Sequence, residues 1–192
     1  RRQRQMCIRD RCYKEVEILD MGPLRFSARM VFAPVQIGQD KDVVETRVIT
    51  LDKGTHLNKC EVTYANLSEA RKVAAGIAVH KSMPDAYVMN KKLGYVAYAD
   101  AMDHPEAMNG LTYIACLFPE GLKSVEYVPM AKEEAGAVGH VVGVSNYEPG
   151  DTFTYYFGSA WSKYDMPDMA VWQENVERYS RQLKTPLAVT LK

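Results

Sequence analysis

No stretch of this sequence approaches the ~18–20 consecutive apolar residues that a membrane-spanning helix needs, so no membrane span is expected. Four cysteines (Cys7, Cys12, Cys60, Cys116) include no CxxC pair and no ligand-like spacing to histidine. Neither HxH nor HExxH supplies the nucleus of a metal site. GxGxxG, GxxxxGKS/T and GxSxG are also missing, which removes the usual signals for a dinucleotide, a phosphate loop and a hydrolase elbow. No metal and no cofactor are therefore expected. An excess of charge of one sign is lacking as well: 24 Lys and Arg balance 24 Asp and Glu.

The opening RRQRQMCIRDRC carries five arginines and one aspartate within residues 1–11, with neither helical nor strand period. The apolar stretch of roughly 7–15 residues that follows the basic start of a secretory signal does not occur behind it. RQMCIRDR resembles translated sequencing adapter, of the kind found at the ends of reading frames assembled from environmental DNA. Residues 1–11 are accordingly read as a non-native or disordered tail. Residues 12–192 are read as the C-terminal portion of a single β-sandwich domain. Setting the tail aside removes five of the basic and one of the acidic residues, leaving 19 against 23. A mildly acidic remainder argues against nucleic acid as a partner, because binding it takes a basic stripe. With 47% apolar residues the chain can fill a real core.

Short strands punctuated by turns dominate what is present. YKEVEIL (13–19) alternates and breaks at Asp20-Met21-Gly22-Pro23. In LRFSARMVF (24–32), Leu24, Phe26, Ala28, Met30 and Phe32 take one face and Arg25, Ser27 and Arg29 the other, the period of a strand with one buried side. VVETRVITL (43–51), HLNKCEVTY (56–64), KVAAGIAVH (72–80), LGYVAYAD (93–100), LTYIACLF (111–118), GHVVGVS (139–145) and DTFTYYFGSAW (151–161) follow. Strands at such spacing predict an all-β, antiparallel sandwich. Over 169–183, Met169, Trp172, Val176, Tyr179 and Leu183 form a single helical stripe, with Asp168 as cap and Pro186 as stop. PLAVTL (186–191) reads as a final strand. Residues 82–92 and the DHPEAMNG loop of 101–110 are polar connections of the kind that carry function.

LDKGTHLNKCEVTY, AAGIAVHK, YYFGSAWSKYDM, the helix and KTPLAVTLK, in that order, resemble the C-terminal half of bacterial proteins in the DUF4861 family, which occur among polysaccharide-degradation genes. The likeness covers residues 13–192. It implies a galactose-mutarotase-like supersandwich with a carbohydrate cleft on its concave face, an upstream β-rich half, and a periplasmic or secreted location. It names no reaction, so function rests on the residues.

By alternation His56 shares a face with Asn58, Cys60, Val62 and Tyr64, and His80 shares one with Ala74, Gly76 and Ala78, whose small side chains leave room beside an imidazole. Acid–base chemistry on a sugar needs a proton donor and an acceptor with tunable pKa. His80 or His56 fits as acid and Glu61 or Glu45 as base, although Glu61 falls on the opposite face from His56. A lyase would use His80 or Tyr64 on the proton, with Lys59 or Arg47 holding a substrate carboxylate. Trp161, Tyr156 and Tyr164 are candidates to stack on sugar rings, while Trp161 also reads as a core residue packed against Trp172 beneath the helix. His140 reads as structural and His104 as a surface residue. The expected function is a carbohydrate-active protein working by acid–base chemistry on a hexose or uronic acid, as an epimerase or mutarotase, a lyase or a hydrolase. The alternative is a non-catalytic carbohydrate-binding module.

Overall fold

The computed structural model describes residues 13–101, 109–188 and 190. Along the chain run β1 (Tyr13–Met21), β2 (Arg25–Phe32), β3 (Val35–Ile37), β4 (Asp40–Asp52), β5 (Leu57–Ala65), β6 (Arg71–His80) and β7 (Tyr87–Asn90). Then come β8 (Tyr95–Ala101), β9 (Leu111–Leu117), β10 (Ser124–Glu134), β11 (Ala137–Tyr147), β12 (Phe153–Trp161) and α1 (Met169–Lys184). All strand pairs are antiparallel. One large sheet has the order β1-β2-β4-β5-β12-β9-β8-β7, with β3 paired to β4, and a small sheet has the order β10-β11-β6. The protein is an all-β sandwich with one C-terminal helix.

Three layers result, because the large sheet buries residues on both sides. On its inner face, Cys60, Val62, Val96, Tyr98, Cys116 and Phe118 meet Ile77, Val79 and Val141 of the small sheet. On its outer face, Tyr95, Ala97, Tyr113, Ala115 and Leu117 meet Trp172 and Val176 of the helix. Alanine at 97, 99 and 115, all buried, keeps the surface of β8 and β9 shallow enough for the Trp172 indole to lie on it. Asp168 caps α1 by accepting from the Val171 N–H at 2.9 Å, and Thr185 N–H closes its end on the Arg181 and Gln182 carbonyls. The helical stripe points inward as its spacing demands.

Three strands lie where the sequence shows no strand signal. β7 forms inside the polar connection of 82–92. β3 is only three residues long, and β10 is an edge strand whose pattern, SVEYVPMAKEE, is mostly exposed and includes Pro129. An edge strand has one neighbour, needs no apolar alternation and tolerates proline. The final strand expected over 186–191 does not form across its described residues, 186–188 and 190. Leu187 there is 94% exposed, so it has no face to bury and no ladder to join.

Candidate functional site

His80 ends β6, and its ring turns toward the end of β8. Its Nδ1 lies 2.7 Å from Asp100 Oδ2. A carboxylate only accepts, so Nδ1 carries the proton of this contact, and in the neutral ring Nε2 presents its lone pair. The imidazole is 35% exposed and Asp100 18%, so the dyad is held by the fold yet reachable. Tyr98 fixes it from beneath. Its hydroxyl accepts from the His80 N–H at 3.0 Å and approaches the His80 carbonyl and Asp100 Oδ1 at 3.4 Å. Burial pushes the Tyr98 phenol above its ordinary pKa, and the neighbouring Asp100 charge adds to this against the His80 backbone contact. Tyr98 therefore remains a donor.

The register carries this site across the sheet. Asp100 pairs with Thr112 on β9, and Thr112 pairs with Trp161 on β12. Directly opposed residues share a face, so Asp100, Thr112 and Trp161 form one row, with roughly 10 Å between the outer strands. Trp161 is 44% exposed, and its indole N–H donates to the Asn109 carbonyl at 2.9 Å, which fixes the ring. Beside it, Thr112, Ser159, Tyr164, Asp165 and His56 line a cleft of about 390 Å³.

His56 sits just before β5, where β12 runs on without that partner. Its Nε2 lies 2.6 Å from Asp165 Oδ2, its ring meets Trp172 edge-on at 6.0 Å, and its Nδ1 is buried with no hydrogen-bond partner. Nε2 is thus engaged by the partly exposed Asp165 carboxylate, and the two side chains line the cleft together. Gly158 makes this position accessible to the chain: a Cβ there would collide with the His56 carbonyl oxygen.

The structure separates several residues that the sequence grouped. His56 does not share the Cys60 face, because the backbone leaves strand geometry before Leu57 and turns the ring toward the helix layer. Glu61 and Lys59 pair with each other at 2.7 Å on the outer face, away from His80. Tyr64 stands seven residues along β5 from Leu57, about 24 Å at strand rise, where it meets Tyr147 edge-on at 5.2 Å; Glu45 pairs opposite it. Arg47 contacts Glu45 at 2.5 Å and covers the Phe32 ring at 4.7 Å. Tyr156 packs in the helix-side core. Trp161 does not pack against Trp172, since the two fall on opposite faces of the large sheet. Ala74, Gly76 and Ala78 do border open space, a groove of about 480 Å³ that Arg47 and Tyr155 also line. His104 lies outside the described residues.

Asp100, Asp165, Thr112 and Ser159 had no signal of their own in the sequence. A larger hollow of about 770 Å³ lies near Glu120, Lys123 and Asp151, but Asp151 is occupied in its own turn, accepting from the Glu148 N–H at 2.9 Å. Among the described residues no three histidine, cysteine or carboxylate side chains converge as metal ligands, and no helix is long and apolar enough to cross a membrane.

An uncharacterized protein P7 of Formosa agariphila is 23% identical over 181 residues, covering 93% of this chain and 42% of that protein. The chain thus spans less than half the length of this curated relative. A family described as a domain of unknown function, DUF4861, matches residues 1–189. The chain belongs to that family.

Proposed function

We propose that this domain binds a carbohydrate across the Asp100–Thr112–Trp161 row and performs proton transfer on it through His80. The observation that carries the reading is the row itself. It sets a reachable imidazole, already paired to a carboxylate through its other nitrogen, on the same face as an exposed and anchored indole. An indole face stacks on the apolar face of a sugar ring, and the cleft beside it offers the Thr112 and Ser159 hydroxyls and the Asp165 carboxylate for sugar hydroxyls. His80 Nε2 takes a proton from a hydroxyl or an acidic ring carbon, and the imidazolium formed is stabilised by Asp100. The imidazolium can return that proton to the product. Hexoses and uronic acids are the substrate class, in a mutarotase-like sandwich serving polysaccharide utilisation in the periplasm or outside the cell.

A non-catalytic carbohydrate-binding module is the second reading, favoured by the 44% exposure of Trp161, which needs no histidine to hold a sugar. One panel separates them. Mono- and oligosaccharides, neutral and uronic, are titrated by calorimetry into the wild type, His80→Ala and Trp161→Ala, and product formation is followed by NMR. Turnover lost in His80→Ala with binding kept supports the enzyme. Binding lost in Trp161→Ala with no turnover in the wild type supports the module. Unchanged binding and turnover in both variants would sink the site.

A further inference from the structure

Away from the helix the large sheet is mostly polar on its outer face and mostly apolar on its inner one, where Glu45, Arg47 and Asn58 are the polar exceptions. On the outer face of β1, β2, β4 and β5, Arg29 pairs with Glu17 at 2.6 Å and Lys59 with Glu61 at 2.7 Å. On the inner face the register aligns Ile18, Ala28, Ile49, Cys60 and Tyr155 in one row, and Met21, Phe26, Leu51, Asn58 and Phe157 in the next. Alternation of this kind belongs to a sheet with one buried face. Yet the cover given by the small sheet thins beyond β5, where Tyr147 still meets Tyr64, and Val16 (48%), Ile18 (57%), Met21 (77%), Phe26 (41%) and Leu51 (41%) stay exposed. A contiguous apolar surface of this extent marks an interface.

The small sheet stops beside that surface. Among the described residues β6 is its last strand, so alternate residues of β6 turn their N–H and C=O groups to an edge that no described strand pairs. Ala74–Ala78 border the groove of about 480 Å³ whose floor is Ile49, Cys60 and Tyr155, with Arg47 on its rim as the one charged residue. An open edge above an open apolar floor has the dimensions of one missing layer, because packed sheets stand about 10 Å apart.

We infer that the small sheet is continued along β6 by further strands, supplied by polypeptide outside these 192 residues and laid over the inner face of β4, β2 and β1. The strands that fit have apolar residues at alternate positions on the side facing Ile18, Phe26 and Ile49, and polar ones on the other. A second copy of this chain does not fit. Antiparallel β6–β6 pairing about a two-fold axis keeps both large sheets on the same side, and each overhangs β6 by the strands from β12 to β1, about 20 Å. The two overhangs would occupy the same space. The length of the relative supplies the material: the matched region is 42% of that protein.

The test co-expresses the in-frame coding sequence flanking these 192 codons as a separate polypeptide. A stoichiometric complex is expected, with amide exchange of the edge-facing residues of β6 slowed at least tenfold and binding of an apolar dye lost. Ile18→Lys, at a position already 57% exposed, is expected to leave the melting of the isolated chain unchanged and to weaken the complex at least tenfold. Any one of four results overturns the inference. The locus encodes no flanking strands; the isolated chain is a monomer with β6 already protected; or it forms a homodimer that protects β6. A complex indifferent to Ile18→Lys overturns it as well.

Discussion

His80 Nδ1 and Asp100 Oδ2 stand 2.7 Å apart across the two sheets of the sandwich, which makes the pair a product of tertiary packing. Removing the imidazole with His80→Ala is expected to lower turnover of a responsive sugar by about 10²–10⁴-fold, with binding retained. Asp100→Asn keeps the shape but lets the ring choose its tautomer, so it is expected to lower kcat more than KM. Steady-state kinetics on both variants checks this. A change confined to KM would place the dyad in binding.

The two tryptophans separate binding from stability. Trp172 is fully buried between helix and sheet, and its indole N–H donates to the Ile114 carbonyl at 3.3 Å. Trp172→Ala should cost about 3–5 kcal/mol, read by denaturant unfolding. Trp161→Ala should leave the unfolding midpoint nearly unchanged and weaken sugar binding about tenfold, or ~1.4 kcal/mol. A large loss of stability in Trp161→Ala would show the ring to be a core residue after all.

Gly158→Ala places a methyl against the His56 carbonyl, and overpacking of this kind costs about 1–3 kcal/mol. The chain is expected to melt earlier and the His56–Asp165 contact to open. In NMR spectra taken at one fixed pH the His56 ring resonances should shift as that contact opens, while those of His80 stay in place.

Glu177 on α1 accepts hydrogen bonds from Gln173 and from the Tyr95 hydroxyl, the latter at 3.0 Å, and these hold its carboxyl below the ordinary range. A depressed folded-state pKa contributes stability that is present above the unfolded value and is lost as pH falls through the folded one. Glu177→Gln is therefore expected to flatten the decline of melting temperature below about pH 4.3, the ordinary glutamate value. Parallel declines in the two proteins would show that the contact does not link helix docking to pH.

The strands that bury a face were legible in the sequence because period two is written wherever one side must be dry. β2, β5 and β12 carry it plainly, and the helical stripe ending at Leu183 is written as plainly in its own period of three and four. β10 was illegible for the opposite reason: an edge strand with Pro129 has nothing to alternate for. The same logic divides the site. His80 and Trp161 stood out by residue type, but Asp100 became a partner only through the packing of β6 on β8. The alternation rule failed at His56 because it holds only while the backbone remains a strand, and the chain enters β5 at Leu57. Glu61 and Tyr64 were drawn in as proton carriers by composition. The register puts one on the wrong face and the other at the wrong end.

Cys60 and Cys116 are free thiols on the inner face of β5 and β9, separated by β12, and burial raises the Cys116 thiol to about 12. Neither forms much thiolate in the closed protein, and neither faces the other for oxidation. Their alkylation thus becomes a clock for how often the two sheets part. Cys60 beneath the groove beside β6 should label before Cys116, and the interval between the two would time the sandwich peeling from that side.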